Sequence, residues 1–425
     1  MEPTPDERLV LISTDGHCGA DLWGYKPYLE TRYHELFDEW AATFSDAWAE
    51  DIDLTRPADN RAGVASINAP LSWDSAARLE YLDAQHIAAE VLFPNTAPPF
   101  YPSGALTAAG PVNAEEHELR SAGLRAHNRW LADFCADAPD RRAGFAQVFL
   151  DDIEASVDEV RWAASAGLRG VHIPNDHMQK MASLYYPRLD PLWAVCAELD
   201  MPVHRHASFV TESVREGGPA SALIGMVEIE YYPIRAIGHM ILSGVFERHP
   251  DLKYVTTELG RACEVPPFLA RLDGMLTHGL NEGSPLYETV VDAITALHRT
   301  PSEYFASNCY LAGPTNDLRT AWASSVPNVM WGADIPHSEG TAPYTVEALR
   351  ATLWDVPTED LRVLLSTRAA DLYGFDLEAL GTIAGRIGPS VEEVHTPLAP
   401  EDRPLYPEQS RSAIFNDRRA GVATS

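Results

Sequence analysis

The chain of 425 residues has little of several features that mark whole classes of protein. Its five cysteines are scattered without the C-x-x-C spacing of a zinc ribbon or redox motif; they are Cys18, Cys135, Cys196, Cys263 and Cys309. An odd number of cysteines without such spacing is typical of free thiols in a reducing compartment. We therefore expect neither a disulfide framework nor a zinc site built on cysteine.

Long apolar runs and basic residues are also scarce. No run reaches the ~18 apolar residues that a membrane-spanning helix requires. The first residues, MEPTPDERLV, include acids where a signal peptide is basic. The 32 Lys and Arg are outnumbered by 62 Asp and Glu, so the formal net charge is -30. Because such a surface repels phosphate backbones and anionic membranes, we expect a cytoplasmic protein with no nucleic-acid or membrane partner.

Eight short apolar runs, several of them rich in β-branched residues, alternate with helical stretches. This is the pattern of βα units on a parallel sheet, and eight units favour a closed (β/α)8 TIM barrel over an open doubly wound sheet. The predicted strands are 9–13, 89–93, 143–149, 170–173, 202–206, 252–257, 308–311 and 328–332. The predicted helices are 115–136, 153–166, 191–199, 234–248 and 266–276.

Two segments depart from a minimal barrel. We assign residues 1–391 to the barrel, with an aromatic-rich insertion over 18–87, after the first strand, that is expected to cover the barrel mouth. Residues 392–425 are rich in proline and lack periodicity, which predicts an extended C-terminal arm. Such an arm gains order only by lying on the barrel or on a neighbouring subunit. We expect the second, and hence a homo- or hetero-oligomer with contacts through the arm.

Potential metal ligands stand where the predicted strands end. The carboxyl ends of barrel strands converge on one mouth, so side chains at these positions are expected to meet. Asp15 and His17 follow the first strand on the same side, since side chains alternate along a strand. His206 ends the fifth strand, Glu258 follows the sixth, and Asp334 follows the eighth. Neutral imidazoles and carboxylates are ligands for zinc, iron and manganese, so we predict a divalent metal site.

Four motifs in this order resemble the amidohydrolase-related family over roughly residues 9–375. They are DGHCG at 15–19, GLRGVHIPN at 167–175, SGVFERHPDLKYVTTELG at 243–260 and WGADIPHSEG at 331–340. That family contains metal-dependent hydrolases, decarboxylases and hydratases of small carboxylic acids. The resemblance implies that Asp15 and His17 replace the family's first-strand His-x-His pair and that His206 is the fifth-strand ligand. It also implies that Asp334 is the eighth-strand aspartate, which binds metal and often activates water.

The sixth strand departs from the family pattern. Glu258 stands where hydrolytic and decarboxylating members commonly use histidine. A carboxylate can bridge two metals, and His239 and His177 are possible additional ligands. The inventory is therefore sufficient for a dinuclear site, which iron or manganese would suit, and iron permits dioxygen chemistry. Some amidohydrolase-fold proteins that this chain resembles are dinuclear monooxygenases.

Three functions remain open from the sequence. The leading one is hydrolysis or decarboxylation of a small carboxylic acid with a divalent metal such as zinc, with Asp334, Glu258 and His239 as catalytic candidates. The alternative is a dinuclear Fe/Mn monooxygenase that hydroxylates a small carboxylate, alone or as one subunit of a multi-component system. A catalytically silent subunit ranks last, because no ligand is missing.

Overall fold

The structure is a computed structural model. It describes residues 7–44, 70–95, 98–102, 110–174, 183–206, 219–259, 262–278, 285–313, 315–337, 339–405, 409–410 and 412–415. Among the helices in these ranges, none has the length and apolar character needed to cross a membrane.

Nine short strands in the described ranges form two parallel sheets. In the first sheet β3 pairs with β1, β2 and β4, and in the second the order is β5-β6-β7-β8-β9. The strands are β1 Ile12–Ser13, β2 His17–Cys18, β3 Ala89–Pro94, β4 Arg142–Gly144, β5 Ala146–Gln147, β6 Val171–His172, β7 Val203–His206, β8 Tyr254–Thr257 and β9 Cys309–Ala312. Seven of the eight predicted strands therefore contain a regular strand; the predicted strand 143–149 is divided into β4 and β5, and β1, β6 and β8 are at least two residues shorter than predicted.

The eighth predicted strand, 328–332, is not a regular strand. It makes an isolated parallel bridge from Val329 to β9, and the Trp331 carbonyl accepts a 2.9 Å hydrogen bond from the Thr14 backbone N–H beside β1. Asn328 and Asp334 have φ angles of 57° and 55°, so left-handed residues bend the chain at both ends of the segment. The segment thus lies between β9 and β1, and two more backbone bonds, from Leu311 to the Asn328 carbonyl at 3.0 Å and from Met330 to the Leu311 carbonyl at 2.8 Å, join it to β9.

The helices alternate with the strands, as the pattern predicts. The predicted helix 234–248 differs from the observed structure, in which two helices are separated at Gly244, whose φ is 69°. The helices are α1 His34–Thr43, α2 Ser75–Ala84, α3 Ala114–Ala136, α4 Ile153–Ser165, α5 Asp190–Glu198, α6 Pro219–Leu242, α7 Val245–Arg248, α8 Val265–His278, α9 Pro285–Thr295, α10 Pro301–Asn308, α11 Thr315–Ala323, α12 Thr345–Thr352, α13 Thr358–Arg362, α14 Arg368–Tyr373, α15 Leu377–Ile387 and α16 Val391–Val394. Shorter 3-10 turns include Leu22–Tyr28, Thr31–Tyr33 and Pro70–Ser72, and a π-helical turn spans Val363–Thr367.

Polar side chains set where several helices begin. Asn113 accepts a hydrogen bond from the Glu116 backbone N–H at the start of α3, and Asp152 does the same for Ala155 at the start of α4. Such caps satisfy N–H groups that have no partner within the helix, and each stabilises the fold by ~1 kcal/mol. The observed starts of α3 and α4, at residues 114 and 153, lie within one residue of the predicted ones.

A layer of aromatic rings fills the interior below the carboxyl ends of the strands. The His204 ring stacks on Phe145 with centroids 3.7 Å apart, and His204 Nε2 lies 3.0 Å from Tyr373 Oη. Burial lowers the pKa of His204 to about 3, so this imidazole is neutral. His204 therefore has the hydrogen-bonded core position that its place one layer below His206 predicts.

The described part of the 18–87 insertion packs on α3. Tyr25 Oη accepts a hydrogen bond from the Ala20 backbone N–H and lies 2.9 Å from His127 Nδ1 of α3. Trp40 Nε1 donates to the Tyr101 carbonyl at 2.8 Å. Residues 45–69 lie outside the described part of the chain, and the expected cover over the barrel mouth stays a prediction.

The described part of the C-terminal arm lies on its own barrel. Leu398 and Phe415 are buried in a cluster with Ala348 of α12, and Ile414 packs against it. Leu405 has a side chain that is 64% exposed. Leu398, Ile414 and Phe415 of the arm thus have apolar partners within the chain, and the oligomeric state stays a prediction.

The close packing of the aromatic layer predicts that one added methyl group would destabilise the folded protein. A Cβ at Gly170, beside β6, would lie 2.6 Å from Phe145 Cδ1 and 2.8 Å from His204 Cε1. We expect Gly170→Ala to lower the free energy of unfolding by about 1–3 kcal/mol, because the layer has no room for it. Urea denaturation measures this change.

Gly385→Ala is the matched control. Gly385 lies within α15, where an added Cβ meets nothing within 4 Å. Alanine has the higher helix propensity, so this change should raise the free energy of unfolding by up to ~1 kcal/mol. Equal effects of the two substitutions would contradict the tight packing of the layer.

Candidate metal centre

Three carboxylates and three imidazoles meet at the carboxyl ends of the strands. Their donor atoms form three overlapping groups, in each of which all atoms lie within 4.8 Å of one another. The groups are Asp15, His17 and His206; His17, Asp334 and His337; and Asp15, Glu258 and Asp334. The structure thus brings together the five residues predicted as ligands and adds His337.

Asp15 lies at the centre of the cluster and is fully buried. Its Oδ1 is 3.4 Å from His17 Nε2 and 3.3 Å from His206 Nε2. Burial alone would raise the pKa of Asp15, but the hydrogen-bonding imidazoles of His17 and His206 outweigh it and lower the pKa. Asp15 is therefore an anion in this site.

Asp334 is the second buried anion. Its Oδ1 lies 3.2 Å from His17 Nε2 and 2.7 Å from His337 Nδ1. Burial opposes ionisation, but His337 and His17 hold the pKa of Asp334 below its ordinary value. Burial likewise disfavours a charged His337, yet the Asp334 carboxylate outweighs it and raises the pKa of His337 to about 9.

Glu258 is in a different electrostatic environment. Its Oε2 lies 3.6 Å from His206 Nδ1, and a quarter of its side chain is exposed. Removal from water, together with the carboxylates of Asp334 and Asp15 and against the opposing effect of His206, raises the pKa of Glu258 to about 8. Glu258 therefore differs from the two aspartates in being able to hold a proton near neutral pH.

The backbone fixes these side chains at a conformational cost. Asp334 and Glu258 have φ angles of 55° and 57°, a left-handed region that residues other than glycine seldom adopt. The Asp334 backbone N–H donates to the Asp15 carbonyl at 2.8 Å, which ties the eighth segment to the first. Two glycines leave room for Asp15: a Cβ at Gly313 would lie 2.7 Å from Asp15 Oδ2, and one at Gly332 2.5 Å from Asp15 Cβ.

Unsatisfied atoms show that the cluster fits a cation. Asp15 Oδ2, His17 Nε2 and Asp334 Oδ1 are buried without a well-oriented hydrogen bond within the described part of the chain, although His17 Nε2 and Asp334 Oδ1 are in ion-pair range of neighbouring groups of the cluster. Such atoms are costly unless something binds them, and a divalent ion would bind all three. The other nitrogen of the His17 ring, Nδ1, lies 3.2 Å from the Pro94 carbonyl, which directs Nε2 towards the cluster.

Two other candidates have different outcomes. His239 lies in α6 and belongs to none of the donor groups among the described residues; its ring meets that of Tyr185 edge-on, with centroids 4.9 Å apart. His177 lies outside the described residues. The catalytic role expected for His239 therefore stays a prediction.

Sequence reasoning missed a group of residues beneath the cluster. Arg78 of α2 and Glu90 of β3 form a salt bridge with 2.6 Å between Nη2 and Oε2, and both side chains are buried. Asn95 Oδ1 lies 3.2 Å from His337 Nε2, while its Nδ2 donates to Ser72 Oγ at 3.0 Å. The available signal was Glu90, the single charged residue in the apolar strand AEVLFP, because a buried charge requires a buried partner.

Comparison with known proteins gives relatives of this fold that carry out decarboxylation. A γ-resorcylate decarboxylase of Rhodococcus jostii (strain RHA1) is 31% identical over 161 residues, which are 35% of this chain and 48% of the relative. The match thus spans about half the length of that curated relative.

Solved structures match over more of the chain. An amidohydrolase from Mycobacterium avium subsp. paratuberculosis K-10 has a TM-score of 0.62 and 21% identity, covering 86% of this chain and 99% of that one. The 5-carboxyvanillate decarboxylase of Novosphingobium aromaticivorans DSM 12444, solved with manganese and 4-hydroxy-3-methoxy-5-nitrobenzoic acid, has a TM-score of 0.59 and 20% identity. That match covers 88% of this chain and 100% of the other. At these identities the two structures establish the fold, which is that of amidohydrolase barrels.

The family model described as amidohydrolase matches residues 73–375, which contain β3 to β9 and the eighth segment. This range is most of the chain and includes three of the predicted ligands, His206, Glu258 and Asp334. The chain therefore belongs to the amidohydrolase family.

Proposed function

We propose that the protein is a metal-dependent decarboxylase of a small aromatic carboxylic acid that carries a hydroxyl group beside its carboxylate. The observation that carries the proposal is a chain of close contacts at the carboxyl ends of the strands: Asp15 Oδ1 lies 3.4 Å from His17 Nε2 and 3.3 Å from His206 Nε2, and Asp334 Oδ1 lies 3.2 Å from His17 Nε2. The partial match to γ-resorcylate decarboxylase favours decarboxylation over hydrolysis, and γ-resorcylate is such a hydroxylated acid.

Asp15, His17, His206 and Asp334 would hold the metal ion. When bound, a divalent ion supplies positive charge that orients the substrate's oxygen atoms and stabilises negative charge developing on them. Nitrogen and carboxylate donors suit manganese or zinc, and manganese is the ion in the carboxyvanillate decarboxylase structure. We propose manganese as the first ion to test.

Decarboxylation exchanges a carboxylate for a proton on the same carbon. The proton forms a new C–H bond, the C–C bond breaks with its electron pair left on the ring carbon, and carbon dioxide leaves. Two observations support Glu258 as the proton donor: its Oε2 lies 3.6 Å from His206 Nδ1, and a quarter of its side chain is open to solvent. We propose that Glu258 donates the proton to the ring and regains it from water.

A second candidate, a dinuclear Fe/Mn monooxygenase, is favoured by the overlap of the donor groups. Asp15 and Asp334 each belong to two of the three groups, and Glu258 joins both of them in the third. Two cations could share such a set, since carboxylates bridge metals readily. The number of ions therefore separates the two candidates.

The first test is activity with Mn²⁺ and 2,6-dihydroxybenzoate. We expect release of carbon dioxide, and we expect His206→Ala to lower kcat/KM by more than about 100-fold, because loss of a ligand exceeds the effect of losing a supporting residue. Carbon dioxide release and loss of the substrate's ultraviolet absorbance both measure the reaction.

His298→Ala serves as the matched control, because the His298 side chain is 78% exposed and contacts Glu247 away from the cluster. It should have wild-type activity. A metal-loaded wild type that decarboxylates no hydroxybenzoate would refute the proposed activity.

The second test counts ions in Glu258→Gln. A single-ion decarboxylase predicts one Mn²⁺ per chain in both wild type and variant, with turnover reduced because an amide cannot donate the proton. Elemental analysis after dialysis gives the ratio.

Glu359→Gln, at a residue whose side chain is 85% exposed, should change neither metal content nor turnover. Two ions in the wild type and one in Glu258→Gln would favour the dinuclear oxygenase instead, because a neutral amide does not replace a bridging anion.

A further inference from the structure

We propose that Arg78 is a positioning residue of the metal centre. Its guanidinium holds together two short backbone segments, residues 15–18 with His17 and residues 334–337 with Asp334, which are called the ligand-bearing turns below. This inference rests on the metal centre of the proposed function. It adds a residue that belongs to none of the donor groups.

Arg78 projects from α2 into a site that water does not reach. The side chain has no exposed surface, and Glu90 of β3 is 1% exposed. Arg78 Nε donates to Glu90 Oε1 and Oε2 at 3.3 and 3.0 Å, and Nη2 donates to Oε2 at 2.6 Å, so one edge of the guanidinium faces the carboxylate. Glu90 therefore fixes the plane of the guanidinium.

The remaining N–H groups of Arg78 reach the turns that bear the ligands. Nη1 donates to the His17 carbonyl at 3.0 Å and to the Leu71 carbonyl at 3.3 Å, and Nη2 donates to the Ile335 carbonyl at 3.2 Å. With the bonds to Glu90, all five donors of the guanidinium have acceptors. His17 is a proposed ligand, and Ile335 directly follows another, Asp334.

The two turns are also joined to each other at this point. The Ile335 carbonyl accepts a 2.7 Å hydrogen bond from the His17 backbone N–H as well as the one from Arg78. Gly16, between the ligands Asp15 and His17, lies directly against the guanidinium, because a Cβ there would be 3.2 Å from Arg78 Nη2. A displacement of Arg78 would therefore move both ligand-bearing turns.

A second arginine, Arg142, also lies beside the Glu90 carboxylate. Its hydrogen bonds within the described part of the chain go to residues outside the ligand-bearing turns. Arg142 Nε lies 3.7 Å from Glu90 Oε1, and this side chain is as deeply buried as Arg78. Its other donors go to the Phe134 carbonyl at 2.7 Å and to Ser75 Oγ at 2.9 Å. The chain thus offers a control with the same burial and the same anionic neighbour.

The experiment compares Arg78→Lys with Arg142→Lys. Lysine keeps the charge beside Glu90, but a single ammonium cannot reproduce the planar fork that reaches two turns. The readouts are the Kd for Mn²⁺ alone, from competition with a chelator, and the free energy of unfolding without metal. We expect Arg78→Lys to raise the Kd about 10–100-fold, the range for residues that orient metal ligands, and Arg142→Lys to leave it unchanged.

Each outcome has a defined meaning. An unchanged Kd in folded Arg78→Lys, or equal increases in both variants, would overturn the positioning role. If Arg78→Lys does not fold, the double variant Arg78→Met with Glu90→Leu replaces the ion pair by apolar volume and removes the bonds to both turns. It should show the same rise in Kd, and a wild-type Kd there would overturn the inference. A wild type that binds no Mn²⁺ would instead refute the proposed metal centre itself.

Discussion

Mutual repulsion of three carboxylates is the constraint on which the barrel mouth depends. Asp15, Glu258 and Asp334 place oxygens within 4.8 Å of one another. Two like charges ~4 Å apart repel by about 4 kcal/mol where the effective dielectric constant is near 20. The chain relieves this repulsion with a charged His337 beside Asp334 and a raised pKa at Glu258. A bound cation would relieve it further and would also bind Asp15 Oδ2, for which the described part of the chain offers no hydrogen-bond donor.

Such a cluster persists only because the surrounding fold fixes it. The left-handed backbone at Asp334 and Glu258 is unfavourable in isolation, and a buried ion pair such as Arg78 with Glu90 adds little net stability. Their effect is on geometry: the pair connects α2, β3 and the two ligand-bearing turns at one point. The free energy that supports this arrangement comes from the apolar core around it, in which β3 and the Phe145 layer are almost completely buried.

Features that depend on neighbouring residues in the sequence could be predicted, whereas features that depend on contacts between distant residues could not. The ligand residues were identifiable because they follow apolar runs, and parallel strands necessarily bring their carboxyl ends together. The irregular eighth segment was not identifiable, since its bends come from left-handed residues that tertiary bonds hold in place. Arg78 was missed for a similar reason: its bond to Ile335 joins residues 257 positions apart, and no local pattern reports such a contact.

Glu258, the residue after the sixth predicted strand, determines which chemistry the other four candidate ligands could support. Asp15, His17, His206 and Asp334 would bind an ion whether a histidine or a glutamate stood at position 258. An imidazole there would carry a proton near neutral pH as an ordinary property, whereas a carboxyl group does so only when it is shielded from water and faces other anions. Glu258 faces the anions Asp15 and Asp334 and has only a quarter of its side chain exposed, and both conditions raise its pKa. Without a bound ion, the anionic cluster thus favours the protonated form of this carboxyl group, which is the form that the proposed decarboxylation would use.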